Sequence, residues 1–271
     1  MREDLVNLIL ERIGRDESAI RADFCTDKGV TAKHTAIDDL LPDEIARRIA
    51  AAFPPTSQMR YLNSFRERKF TSKSLGVFDP LMADITFALQ DDRVIAKVAE
   101  LTGIRDAVGD PHLYAGGLSA MERGNFLNPH IDNSHDGEQR HYRVLNLLYY
   151  ISPDWKPEYG GNLELWDERV ERPIEIPSLF NRLVLMATNA RSWHSVNEVK
   201  VDAVRRCISN YYFSPHSPNG YETTHITYFY ARPEQKLRRI VTRVDGEVRT
   251  ILRKLKRRGF AARDIYEGPP K

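Results

Sequence analysis

What this sequence has little of narrows its class early. Only two cysteines, Cys25 and Cys207, stand in 271 residues. That is too few for the disulfide framework of a small secreted domain, or for a structural zinc site that fills its coordination with thiolates. No window approaches the roughly 18 apolar residues of a membrane span. Neither sign of charge is in excess: Lys+Arg number 40 and Asp+Glu 38, a formal +2, which provides no global field for nucleic acid. Internal repeats and low-complexity tracts are lacking too. The N-terminus opens Met-Arg-Glu-Asp and breaks its apolar run at Asn7, unlike a secretory signal. These absences lead us to expect a soluble cytoplasmic protein with reduced thiols, no membrane span and no nucleic-acid partner.

What is present divides by texture. Leu5, Val6, Ile9, Leu10 and Ile13 give residues 2–13 an amphipathic helical pattern. A strand is expected over 30–37, then a helix led in by Pro42 and carrying Ile45, Ile49 and Phe53, stopped by Pro54-Pro55. Residues 80–103 are again helical in period, through Leu81, Ile85, Leu89, Val94, Val98 and Leu101. From Pro111 the chain changes to short runs rich in branched and aromatic residues, separated by Gly, Pro, Asn and Asp. Strands are expected at 113–122, 128–132, 142–152, 162–166, 172–176, 182–188, 193–199 and 204–213, a pattern of a sandwich or jelly roll rather than of strand–helix alternation. Gly160-Gly161 and Asn181 mark turns. Beyond Pro233, Leu237, Val241, Val244, Val248, Ile251 and Leu255 recur at spacings of four and three. They describe a basic helix that packs on the chain's own barrel or forms a homodimer contact. The expected fold is α+β with a mainly β core, flanked by helices at both ends. As a single domain it comprises mostly helical support (1–109), the barrel (110–214) and a basic helical extension (215–271).

Chemistry enters with Asn128-Pro129-His130-Ile131-Asp132-Asn133. His130 and Asp132 lie two apart in an extended segment, so both side chains leave one face and can converge on one metal ion. Alone, such a triplet is as well explained by a hydrogen bond at a strand end. His194 lies 62 residues beyond Asp132, after another expected strand, and a jelly roll brings strands distant in sequence side by side. Two imidazoles and one carboxylate leave positions open on a metal, as in non-haem iron(II) oxygenases. Eleven residues after His194, Arg205-Arg206-Cys207-Ile208-Ser209-Asn210-Tyr211-Tyr212 opens an alternating strand with guanidinium groups. An arginine stays charged when desolvated and can bind a carboxylate bidentately. Alternation lets only one of the two face inward.

In joint order, Leu113-Tyr114-Ala115-Gly116-Gly117-Leu118, the 128–133 segment, Tyr149-Tyr150-Ile151-Ser152, Gly160-Gly161-Asn162-Leu163-Glu164-Leu165 and the stretch from His194 to Arg205 resemble the iron(II)- and 2-oxoglutarate-dependent dioxygenases, especially their prolyl-hydroxylase-like branch. The resemblance covers roughly 110–214 and implies a double-stranded β-helix (jelly roll) using Fe(II), 2-oxoglutarate and O2. By position it implies His130, Asp132 and His194 as iron ligands, with no catalytic residue beyond them. Arg205 matches the arginine that pairs with the C5 carboxylate of 2-oxoglutarate; counting back from Tyr211-Tyr212-Phe213 favours it over Arg206. Tyr150 matches a cosubstrate-contacting tyrosine, with Asn146 and Leu148 on its face of the strand. Related iron halogenases lack the carboxylate ligand; Asp132 is present, which favours hydroxylation with release of succinate and CO2.

Asn128, Asn133, Arg143 and Arg191 flank the site and are candidate substrate contacts, and the polar loop 133–142 is the first place to look for a small-molecule or peptide substrate. His34, His112, His135, His141, His216 and His225 lack a partner at ligand spacing. Trp155, Trp166, Trp193 and Cys207 read as packing. Two other classes remain: a cupin-type metal enzyme without 2-oxoglutarate, which leaves Arg205 unexplained, and a ligand-binding barrel without turnover.

Overall fold

The computed structural model describes residues 1–114, 116–235 and 239. Five α-helices precede the barrel strands: α1 (Arg2–Arg15), α2 (Glu17–Cys25), α3 (Asp43–Ala52), α4 (Pro80–Ala88) and α5 (Asp92–Thr102). The 80–103 pattern is thus two helices. Asp79 and Asp91 each cap one of them by accepting from the backbone N–H two residues on, Leu81 at 2.9 Å and Arg93 at 3.0 Å. Gly103, at φ 71°, ends α5 in the left-handed region. The reading in sequence contains no counterpart of α2. Its only buried residues are Ile20 and Phe24, too few to display a period.

Among the described residues twelve strands form one curled sheet. They are β1 (His34–Ile37), β2 (Arg60–Asn63), β3 (Glu67–Ser72), β4 (Gly117–Met121), β5 (Phe126–Ile131), β6 (Tyr142–Tyr150), β7 (Leu163–Trp166), β8 (Pro173–Ile176), β9 (Arg182–Ala187), β10 (His194–Val196), β11 (Arg205–Ser214) and β12 (Tyr228–Phe229). The order β1-β9-β6-β11-β4 makes the larger wall and β5-β10-β7-β8 the smaller. β3 pairs with both β4 and β5 and so joins the walls, while β2 pairs with β3 and β12 with β5. All eight strands expected after Pro111 are present, in the antiparallel arrangement of a jelly roll. The first 109 residues supply the expected helices and also β1, β2 and β3. The sequence reading contains neither β2 nor β3, which are exposed or half-buried throughout and offer no apolar alternation.

The helices cover the outer face of the larger wall. Leu145, Leu147 and Tyr149 of β6, Leu183 and Leu185 of β9 and Ile208 of β11 share a core with Ile9, Ile13, Met82, Ile85 and Val98. Burying each such side chain contributes about 1.5–3 kcal/mol. Since side chains alternate along a strand, the same strands turn Asn146, Leu148, Cys207 and Ser209 toward the interior. Asn181, at φ 61°, ties the layers: its side chain bonds the backbone of Leu41 in both directions and accepts from the Tyr149 hydroxyl at 2.8 Å. Among the described residues no helix is long and apolar enough to cross a membrane. The helix expected over 237–255, and the homodimer contact assigned to it, lie outside the described residues apart from Arg239.

Candidate metal centre

β5 and β10 pair so that His194 stands directly opposite His130, with ring centroids 4.0 Å apart. Asp132 follows just past the end of β5. Its Oδ2 lies 3.3 Å from His194 Nε2 and its Oδ1 3.7 Å from His130 Nε2. Among the described residues these three form the one cluster of potential ligand atoms, all within 4.8 Å of one another; none of the other six histidines joins it. Both imidazoles are oriented by the backbone. His130 Nδ1 meets the carbonyl oxygen of Asn128 at 3.0 Å, and His194 Nδ1 that of Ser192 at 2.9 Å. A carbonyl only accepts, so each Nδ1 carries the hydrogen and each Nε2 presents a lone pair to the shared space. Burial, then the neighbouring His194, pushes the His130 pKa well below its usual range, which keeps this lone pair free. Burial opposes ionisation of Asp132, but the neighbouring Arg143 guanidinium outweighs it and holds the carboxyl well below the ordinary carboxylate range.

The cluster opens into a cavity of about 760 Å³. At one end β11 presents Arg205, 3% exposed, with Nε donating to the Gly161 carbonyl at 3.2 Å and lying 3.4 Å from Ser178 Oγ. Its guanidinium sits 4.6 Å from the centroid of the Tyr150 ring. Arg206 turns the other way, donating to Ala50 O at 3.0 Å behind the sheet. Arg205 has no ion-pair partner among the described residues, and the Tyr150 hydroxyl is buried beside Arg205 and Ser178 without a well-formed hydrogen bond to either; burial pushes its pKa up to about 12. A desolvated cation beside an unused phenolic donor is an incomplete arrangement. A carboxylate placed there would complete it, so the residues fit the distal end of 2-oxoglutarate. Gly161, at φ 66°, makes room: a Cβ there would stand 3.2 Å from Arg205 Cγ.

The remaining candidates separate. Leu148 lines the cavity. Asn146, which the sequence reading placed with Tyr150 and Leu148, lines it too, and its amide donates to Asp132 Oδ2 at 2.8 Å. Arg143 is 3% exposed and faces Asp132 as well. Asn133 reaches the cavity, but Asn128 turns to the opposite side of β5, where its Nδ2 donates to Phe65 O at 2.9 Å. Arg191 is on the surface, 3.5 Å from Glu168. Of the loop 133–142 only Asn133 lines the cavity. The Asp136 carboxylate accepts from the backbone N–H groups of Glu138, Arg140 and His141, which folds the loop on itself. The sequence reading missed Glu67, Lys69 and Thr71 on β3, and Thr227 and Phe229 around β12, all of which line the cavity. Phe229 stacks on His130 with centroids 5.2 Å apart. The alternation of Glu67, Lys69 and Thr71 on one face was the available signal, but a polar inward face does not read as a strand.

A double-stranded β-helix with a two-histidine, one-carboxylate cluster at its mouth defines an oxygenase-type metal barrel. Residues 116–214 match the family model described as the 2OG-Fe(II) oxygenase superfamily. Prolyl 3-hydroxylase OGFOD1 of Mus musculus is 32% identical over 87 residues, a match that covers 30% of this chain and 16% of the mouse protein. The fold is similar to that of a Pseudomonas putida prolyl-4-hydroxylase, with TM-score 0.54 and 16% identity over 73% of this chain and 98% of that one. A Trichoplax adhaerens prolyl hydroxylase, solved with a hypoxia inducible factor peptide fragment, gives TM-score 0.50 and 16% identity over 79% of this chain and 90% of its own.

Proposed function

We propose that this chain is an iron(II)- and 2-oxoglutarate-dependent dioxygenase that hydroxylates an unactivated C–H bond of a small molecule or peptide, with release of succinate and CO2. One observation carries the reading: an open two-histidine, one-carboxylate cluster shares its cavity with a buried arginine that has no carboxylate partner among the described residues. In this reading His130, Asp132 and His194 hold Fe(II), Arg205 binds the C5 carboxylate of 2-oxoglutarate, and the Tyr150 hydroxyl donates to it. Leu148 packs on the cosubstrate's methylene groups. The bound iron, with 2-oxoglutarate and O2, supplies the oxidising chemistry. The chain's own residues bind, orient and exclude water. Prolyl peptides are the first substrates to test, because the curated relative is a prolyl 3-hydroxylase. We take the chain as one domain with the three parts drawn from its sequence, acting in the cytoplasm, where iron stays ferrous.

Under argon, adding Fe(II) and 2-oxoglutarate to the purified protein is expected to produce a weak visible charge-transfer band, which His130→Ala removes. A featureless wild-type spectrum would sink the cosubstrate assignment. Pools of proline-containing peptides and of small molecules can then be compared for substrate-dependent succinate release. A cupin-type enzyme would turn over without 2-oxoglutarate, and a non-catalytic barrel would release no succinate.

A further inference from the structure

The half of β5 that carries His130 is walled by a segment from outside the barrel. β3 pairs with β5 only at Phe126 and Leu127, and β10 occupies the opposite edge. Where β3 leaves, β12 takes over: Tyr228 stands opposite Ile131 and Phe229 opposite His130, and the Tyr230 N–H donates to Pro129 O at 2.8 Å. A two-residue strand makes few backbone bonds, so side chains must hold it. Alternation sends Phe229 into the cavity and turns Tyr228 and Tyr230 onto Trp193, with ring centroids 5.5 and 5.8 Å away. Farther along, Arg232 Nη1 donates to Glu164 Oε1 at 3.0 Å, and Nη2 donates to Glu164 Oε2 and, at 3.3 Å, to Val196 O. Ser195 Oγ donates to the same Oε2 and accepts from Trp166 Nε1 at 2.8 Å. Glu164 is thereby 4% exposed, although alternation with the cavity-lining Leu163 turns it to the outer face of the smaller wall.

Residues 227–232 therefore form a strap that starts in the cavity, crosses the edge of β5 and is buckled behind the sheet. A bidentate guanidinium–carboxylate pair taken out of water fixes geometry firmly, because removing either partner strands a buried charge. Neither Arg232 nor Glu164 lines the metal-side cavity, so their effect on it passes along the strap to Phe229. That ring lies 20° from parallel to His130, with centroids 5.2 Å apart, and its bulk fills the space beside an imidazole of the cluster. We propose that Phe229 is a specificity-determining residue that sets the width of this space, and that Arg232 and Glu164 are positioning residues that hold the strap carrying it. The wall admits a compact aliphatic group to the cluster and turns away a bulky aromatic one. The inference rests on the reading of His130, Asp132 and His194 as metal ligands, and its test separates the two.

The metal-free full chain is first compared by hydrogen–deuterium exchange. In the doubly neutral variant, Glu164→Gln with Arg232→Gln, no charge is stranded. Peptides covering 227–232 are expected to exchange roughly 10-fold faster there, while those from β6 and β9 keep the wild-type rate. Unchanged exchange over 227–232 would overturn the buckle. Co(II)-loaded protein is then titrated with imidazole and with 4-phenylimidazole, which bind open metal positions and differ chiefly in bulk. Phe229→Ala is expected to lower the Kd for 4-phenylimidazole relative to that for imidazole by roughly 10-fold. The neutral pair should move this ratio the same way, whereas Arg232→Lys, which keeps the charge, should restore most of the wild-type ratio. Damage to the fold or to the metal centre shifts both Kd values together and leaves the ratio alone. Circular dichroism checks folding, and Phe229→Ala tests the wall without touching the buckle. A wild-type ratio in folded Phe229→Ala would overturn the specificity role while leaving the metal centre standing. A wild-type protein that binds no Co(II) would overturn the metal centre, and the role of Phe229 with it.

Discussion

Arg205→Met separates a cation kept for a ligand from one kept for the fold. At 3% exposed, Arg205 has no carboxylate partner among the described residues. Its protein contacts are the bond to Gly161 O at 3.2 Å, a longer one to Ser178 Oγ at 3.4 Å, and the face of Tyr150. Losing the bonds from a charged donor costs about 1.5–3 kcal/mol, and losing the ring contact about 1 kcal/mol. Against this, removing a buried charge relieves a desolvation penalty of several kcal/mol. The sums nearly cancel, so ligand-free stability should lie within about 1 kcal/mol of wild type, where breaking a compensated buried pair would cost about 3–5 kcal/mol. Cosubstrate binding behaves differently. Loss of one partner of a desolvated, charge-assisted pair is worth about 3 kcal/mol, or roughly 150-fold in Kd. At 2-oxoglutarate near 100 times the wild-type Kd, wild type gains about 2.7 kcal/mol of stability, while the variant gains about 0.3 kcal/mol. Thermal unfolding of metal-loaded protein with and without 2-oxoglutarate reads both quantities. A variant that keeps the full ligand-induced shift would remove Arg205 from the carboxylate site. One that loses more than about 3 kcal/mol without ligand would show that the charge is already compensated.

Gly161→Ala places a Cβ at φ 66°, 3.1 Å from Val199 Cγ2 and 3.2 Å from Arg205 Cγ, so it should cost about 1–2 kcal/mol and also weaken 2-oxoglutarate binding. A calorimetric titration that finds wild-type affinity would show that the Arg205 stem yields freely. His34 lies far from the cluster in sequence, on β1, buried at 6% exposure, and burial lowers its pKa from the usual 6.5. The folded state therefore stays neutral where the unfolded chain takes up a proton. Its contribution is present above the unfolded value and is lost as pH falls through the folded one. His34→Gln should accordingly narrow the drop in urea midpoint between about pH 7.5 and about pH 5; an unchanged drop would assign the acid sensitivity elsewhere.

The eight strands after Pro111 were legible because they are long enough and apolar enough to alternate visibly, and because Gly, Pro and Asn separate them. The first hundred residues were legible only where a face is apolar. β3 escaped notice because its inward residues, Glu67, Lys69 and Thr71, line a polar cavity, and α2 because it buries only Ile20 and Phe24. Within the site, residues two apart on one strand could be placed on a common face from spacing alone. Arg205 and Arg206 illustrate this, since period-two alternation leaves room for only one of them inside.

By itself the sequence determined the ingredients: His130 and Asp132 on one strand face, a distant His194, an arginine opening the last long barrel strand, and enough short strands for a jelly roll. These follow from backbone periodicity, which acts locally. The tertiary structure alone decided which side chains those ingredients meet. It set His194 in register against His130, turned Asn128 and Arg191 away from the cavity, gave the Asn146 amide to Asp132, and set Arg143 in an ion pair with the same carboxylate. The physical reason is that a buried polar group must find a partner, and that partner is chosen by the packing of strands remote in sequence, which no local pattern encodes.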